Sequence, residues 1–442
     1  MGSLRRLVPA ILLDSFLIWS SAHAQTVAPA DTNRHPNPAS AAQTPDQPRS
    51  SPAVARTIVQ PVADGIFAAF NTYPLVGIDH IVPEEILIAL VRDPRFARTV
   101  GNLVVEGGSS FRQDVVDRYL AGDPVPYVQL RTAWGDAVGP VVAGGGFPKL
   151  LAAVRTVNSG LPPADRIRVW MGEPPLDWAT AGAQDVANAV LSRDRNAAHI
   201  IVDDILEKGG KALVYYGGFH FARNFPGGEM LLSYVEAVHP RAFYIVLGYS
   251  ELHKPAACQL YRERAARQSL SLALAAPAPG GRPEPSMHAC ATLDGADLVA
   301  RGMLSVRGDP PVVEGNAVLF AGLPFPLEAG PALPDALLDD EYRREIARRS
   351  RIGGPLPPGF RADLVLRKAD YALDIDAPGY ADRLGAMFTA HDKNGDGVVT
   401  AGEYVDPISS AISGQTGGIG TAAPVGIPGA FTTRLLDSPA KP

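Results

Sequence analysis

Short apolar runs alternate with stretches of helical period through the middle of the chain. Pro74–Ile78, Asn102–Glu106, Ile167–Met171, Ala212–Tyr216, Ala242–Leu247 and Ala317–Ala321 are mostly rich in β-branched or aromatic residues, as strands buried on both faces are. Between them, Glu84–Ala97, Phe111–Ala121, Phe147–Val157 and Gln184–Glu207 carry helical patterns. Strands separated by helices imply βαβ units. The expected fold is therefore α/β, with a largely parallel sheet flanked by helices over residues 57–355. A small helical segment should follow over residues 356–413. No internal repeat is visible.

The ends of the chain break this pattern. Arg5 and Arg6 precede a mostly apolar run, Leu7 to Trp19, interrupted by Asp14, and Ala22-His23-Ala24 supplies small residues at cleavage positions. Residues 1–24 therefore read as a signal peptide, cleaved after Ala24, because the apolar run is well short of the ~20 residues a spanning helix needs. Residues 25–56 are rich in Ala, Pro, Thr, Ser, Gln and Asp and read as a disordered linker. Residues 414–442, rich in Gly, Ala and Pro, read as a disordered tail. No later apolar run is long enough to span a membrane, so a periplasmic or secreted location is expected. Export lets the two cysteines, Cys258 and Cys290, form a bridge across the Pro- and Ala-rich stretch from Ala275 to Pro285; the alternative is two separate buried thiols. The net charge of -6 and the absence of a basic stripe exclude nucleic acid as a partner.

Asp392 to Glu403 has the residue types of an EF-hand calcium loop. Asp392, Asn394 and Asp396 offer side-chain oxygens at loop positions one, three and five. Val398 offers its carbonyl at seven, Thr400 stands at nine, and Glu403 at twelve can bind through both oxygens. Gly397 at six permits the sharp turn, and Val399 at eight is placed to stitch the loop to a neighbour. Upstream, Leu384, Met387 and Phe388 give the entering helix an apolar face. Pro407 should keep the exiting helix short or kinked. Asp374-Ile375-Asp376 is a weak remnant of a second loop, lacking the central Gly and the final Glu.

Chemistry also gathers where the expected strands end. Gly77-Ile78-Asp79-His80, Glu106-Gly107-Gly108, Gly172-Glu173-Pro174-Pro175 and Gly217-Gly218-Phe219-His220 close four of them. In a parallel sheet these ends share one edge, where α/β proteins place their sites. The set suits two chemistries. His80 can act as a general base toward water with a carboxylate orienting it, or His80, Glu106 and His220 can ligate a transition metal. Other motifs fail: Gly248-Tyr249-Ser250 lacks the closing Gly of a nucleophile elbow, and Gly144-Gly145-Gly146 reads as a flexible turn.

The run from Asp79 through Asn102–Glu106 to Gln113–Arg118, with Gly172–Trp178, Arg193-Asp194-Arg195 and Gly217–His220, resembles the erythromycin esterase and ChaN-like haem-binding superfamily. The likeness covers about residues 65–350 and implies an α/β fold with its site at the strand ends. It implies catalytic roles for His80, Glu106 and His220. The chain departs from that pattern at Ile78, where relatives carry an acid, and at Glu84 and Glu85, where they show a histidine.

These readings describe an exported calcium-binding protein with an esterase/ChaN-like domain, hydrolase-like in character, acting on ester or related bonds. Two other classes stay open: a periplasmic haem- or iron-binding protein, in which His80 or His220 is an axial ligand, and a calcium-dependent interaction module. The partners expected are calcium and a small-molecule ligand that the sequence does not identify, with haem or a second metal in the α/β domain under the alternative.

Overall fold

The computed structural model describes residues 54–138, 146–225, 229–278, 282–300, 309–325, 334–371, 375–406 and 408. The signal segment, nearly all of the expected linker and the tail lie outside these residues, as do Gly144, Gly145, Asp374 and Pro407.

Eight strands form the central sheet: β1 (Thr57–Pro61), β2 (Leu75–Asp79), β3 (Gly101–Ser109), β4 (Arg168–Glu173), β5 (Lys211–Tyr216), β6 (Phe243–Gly248), β7 (Ala273–Pro277) and β8 (Ala317–Phe320). Their spatial order is β1-β7-β8-β6-β2-β5-β3-β4. Every pairing from β8 to β4 is parallel, while β1–β7 and β7–β8 are antiparallel. The α/β class and the six expected strands are thus present.

Of the eight strands, β1 and β7 escape the sequence pattern. Ala275 to Pro277 open the Pro- and Ala-rich stretch expected to be a loop, and with Ala273 and Leu274 they form β7 instead; small alanines fit there because the strand is flanked on both sides by β1 and β8. At the end of the expected linker, Val54–Ala55 pairs in parallel with Arg282–Pro283.

Burial alternates along each central strand with the period of the pleat. Val76, Ile78, Leu103, Val105, Leu213 and Tyr215 enter one core; Leu75, Val104, Ala212, Val214 and Tyr216 enter the other. Helices cover both faces. The stretch expected as one helix from Glu84 is α1 (Glu84–Arg92) and α2 (Pro94–Thr99), divided where Pro94 cannot donate and Asp93 caps the new helix at the Arg95 amide. Then come α3 (Gln113–Ala121) and α4 (Gly146–Ser159). The long helix expected over Gln184–Glu207 is broken into α5 (Ala183–Leu191), α6 (Arg193–His199) and a π-helical turn, Ile200–Leu206.

The C-terminal segment follows α7 (Asp340–Ser350). It contains β9 (Val365–Arg367), α8 (Tyr380–His391) and β10 (Val398–Thr400). Leu384, Met387 and Phe388 are buried as expected, in the same core that holds Tyr127, Trp134 and Leu150 of the larger domain. Val399 is fully buried and pairs with Leu366 across the antiparallel β9–β10 ribbon, so its neighbour comes from the same chain. Cys258 and Cys290 are bonded, joining helix Pro255–Arg267 to helix Pro285–Cys290.

Candidate functional site

Neighbours in the sheet become neighbours in the site. β2, β5, β3 and β4 lie side by side and parallel, so the residues closing them meet at one edge. Glu106 is at the centre, 2% exposed. Its Oε2 accepts from the Gly217 amide at 2.7 Å, and its Oε1 accepts from Arg193 Nη2 at 2.8 Å. His220 Nε2 lies 3.3 Å from the same Oε1, and His80 Nε2 lies 3.6 Å from Oε2. The three residues expected to act together are therefore brought together.

A second layer holds this arrangement. Arg193, at the first position of α6, binds Glu173 through Nε at 2.7 and 2.9 Å while reaching Glu106. Asp194, its neighbour, holds His220 Nδ1. Asp79 accepts from the Gly218 amide at 3.0 Å and the Ile81 amide at 3.2 Å, with His80 Nδ1 4.0 Å away. Gly217 and Gly218 have to lack side chains. A Cβ on Gly217 would stand 2.9 Å from His80 Nε2, and one on Gly218 2.8 Å from Asp79 Oδ2.

The electrostatics divide the two histidines by role. Burial alone would drive His220 toward its neutral form, but Asp194 and Glu106 outweigh it and push the ring up to about 10. At neutral pH His220 is an imidazolium with both N–H groups engaged. Burial raises Glu106, yet His220, His80 and Arg193 together hold it well below the usual carboxylate range. Asp79 is pushed upward, chiefly by burial. His80 is the member that faces solvent, with its side chain 30% exposed. At 3.6 and 4.0 Å neither of its carboxylate contacts is a hydrogen bond, so the ring is open to water.

Both nitrogens of His220 and Oε1 of Glu106 are already engaged, so these two do not form a ready pair of metal ligands. Among the described residues no group of three or more His, Cys, Asp or Glu side chains is arranged to hold a metal ion.

The sequence places Glu173 at the same edge, whereas Arg193 and Asp194 stand out there only through the family likeness. Their role was hidden because they fall in what reads as the middle of a continuous helix. The signal was Ser192, where α5 ends and α6 begins, followed by an Arg-Asp pair that turns out largely buried.

The loop at Asp392–Glu403 is a separate site. Asp392 Oδ1 accepts from the Gly395 amide at 2.7 Å and Oδ2 from the Gly397 amide at 2.8 Å. Asn394 and Asp396 accept from the Asp396 and Val398 amides at 2.9 and 2.8 Å. Gly397 has φ +79°, the left-handed conformation its position requires. Glu403 is turned toward Thr400, accepting from its amide at 3.2 Å and its hydroxyl at 2.8 Å through Oε2. Its other oxygen, Oε1, is buried without a hydrogen-bond partner. The residue types and this orphaned oxygen suit a hard cation with oxygen ligands, but Asp392, Asp396 and Glu403 are not gathered around one centre in this structure. After the loop the chain makes only a turn, to Tyr404, before Pro407. In the remnant Asp374-Ile375-Asp376, the Asp376 carboxylate is spent on Arg155.

No known family profile and no curated protein matches the chain. Among solved structures, the chain is similar over 43% of its length to the C-terminal region of Pasteurella multocida toxin, described as having a thiol-protease-like catalytic triad, with 14% identity and a TM-score of 0.31. It spans about a quarter of that toxin chain, 25%. It is also similar over 58% of its length to a Bacillus cereus protein, 90% of which is covered, with 8% identity and a TM-score of 0.31.

Proposed function

We propose that the α/β domain is a hydrolase in which His80 is the general base for water. The supporting observation is the buried, anionic Glu106 set 3.6 Å from His80 Nε2 and fixed from behind by Arg193 and His220. A network of several buried charges costs desolvation energy, and such networks concentrate at functional sites. His80 would take a proton from water as the oxygen adds to an acyl carbon. The imidazolium so formed gains a Coulombic partner in Glu106, then passes its proton to the leaving oxygen, closing the balance. His220 acts as a fixed cation that keeps Glu106 charged, and not as a second base. On this reading, esters and lactones are the first substrates to screen. His80→Ala should lower turnover by about 10²–10⁴-fold. Equal rates for wild type and variant, or no turnover of any ester or lactone, would sink the proposal.

A second function has its own support. We infer that the loop Asp392–Glu403 binds calcium, on the strength of its ligand spacing, the Gly397 turn and the unpartnered Glu403 oxygen. Exposure to extracellular or periplasmic calcium follows if the first residues direct export, and the Cys258–Cys290 bond suits an oxidising compartment. Calorimetry on the full chain should show one binding event at or below millimolar calcium. Calcium at a hundred times Kd should stabilise the fold by about 2.7 kcal/mol. A silent titration with an unchanged melt would end this reading.

A further inference from the structure

One helix touches both sites. At its start, α7 is tied to the calcium loop's surroundings. Its N-cap Asp339 accepts from Arg383 Nε of α8 at 2.6 Å, and Asp340 Oδ1 lies 3.5 Å from His391 Nε2, one residue before the loop. From the next turn, Arg343 reaches Asp406 at 3.3 Å, three residues beyond Glu403. The far end of α7 is tied to the catalytic edge. Arg348 Nη2 donates to the Trp178 carbonyl at 2.7 Å, in the segment that follows Glu173. Arg349 Nη1 binds Asp136 Oδ1 at 2.8 Å, while the other oxygen of Asp136 accepts from Arg112 Nε at 2.7 Å, just past β3 and Glu106.

We propose that α7 is a strut through which calcium at Asp392–Glu403 stiffens the loops holding Glu106 and Glu173. The inference rests on the calcium reading above. Glu403 is folded onto Thr400. Turning both its oxygens to an ion requires Glu403 to swing, and Tyr404 to Asp406 follow it directly. Tyr404 stacks on His391, with ring centroids 5.2 Å apart, and Asp406 holds Arg343, so the displacement enters α7 near its start. A helix of this length, about 16 Å at 1.5 Å per residue, transmits it to Arg348 and Arg349. Because coupling is reciprocal, a ligand that orders the catalytic edge will also tighten calcium binding by the same factor.

Deuterium exchange on the full chain, with and without millimolar calcium chloride, tests this without any substrate. In wild type, exchange should slow about five-fold or more both at residues 392–406 and at residues 110–112 and 176–178. In Arg349→Gln the slowing should persist at 392–406 and vanish at 110–112. Arg348→Gln, at a half-exposed position with less risk to folding, should abolish the slowing at 176–178. Slowing confined to 392–406 in wild type overturns the strut. So does slowing of the distant segments that survives in both variants. No slowing even at 392–406 defeats the calcium reading itself, and the strut with it.

Discussion

His220 carries the plainest consequence of single-residue environment in this protein. Its ring is held between Asp194 and Glu106, which push its proton affinity up to about 10 against the opposing effect of burial. An unfolded histidine titrates at about 6.5. The folded state therefore holds the proton more tightly, and the stability this adds is fully present below about pH 6.5. It is lost as the pH rises through about 10. Wild type should lose stability across that alkaline window in denaturant melts, and His220→Gln should remove this part of the slope. The ring protons of His220 should also stay those of an imidazolium in NMR spectra at pH 8; a neutral ring there would contradict the assignment of roles. Much of this was legible from residue types alone: the glycines at 77, 172 and 217 and the acids and histidines beside them marked the edge. Arg193 and Asp194 were not, because sequence separation hides which helix end faces a site. Nor could spacing say which histidine would be charged, since that depends on which carboxylates the fold brings within reach.

At the level of elements, the parallel strands were readable because each is a compact apolar run, buried on both faces. β7 was not, since Ala273 to Pro277 looks like the start of an alanine- and proline-rich connection and acquires its strand character only from β1 and β8 on either side. The helices were legible in position but not in continuity: Pro94 and Ser192 divide what periodicity joined. α8 shows how the C-terminal segment is held. Its apolar face packs into the large core, with Phe388 2% exposed. Phe388→Ala should cost about 3–5 kcal/mol, read as a shift in the denaturant midpoint. A shift under ~1 kcal/mol would mean that α8 is not integral to the main core.

For the molecule as a whole, the core crosses the boundary that composition suggests near residue 355. Tyr127 and Tyr380 rings meet at 4.6 Å, and the Tyr127 amide donates to the Pro378 carbonyl at 2.9 Å, so the small segment and the large domain share one interior. Cys258–Cys290 closes a loop with a sequence separation of 32 residues around β7. Reduction should cost about 2–4 kcal/mol in a reversible melt with and without reductant. An unchanged melt would show that β7 is secured by its neighbours alone. The ribbon of Val399 and Leu366 has one more implication. An isolated hand ordinarily recruits a second hand from another molecule to cover its inner edge, but here Val365–Arg367 already occupies that edge from within. On the calcium reading proposed above, ion uptake should therefore not depend on protein concentration, so titrations at tenfold different chain concentrations should give one Kd.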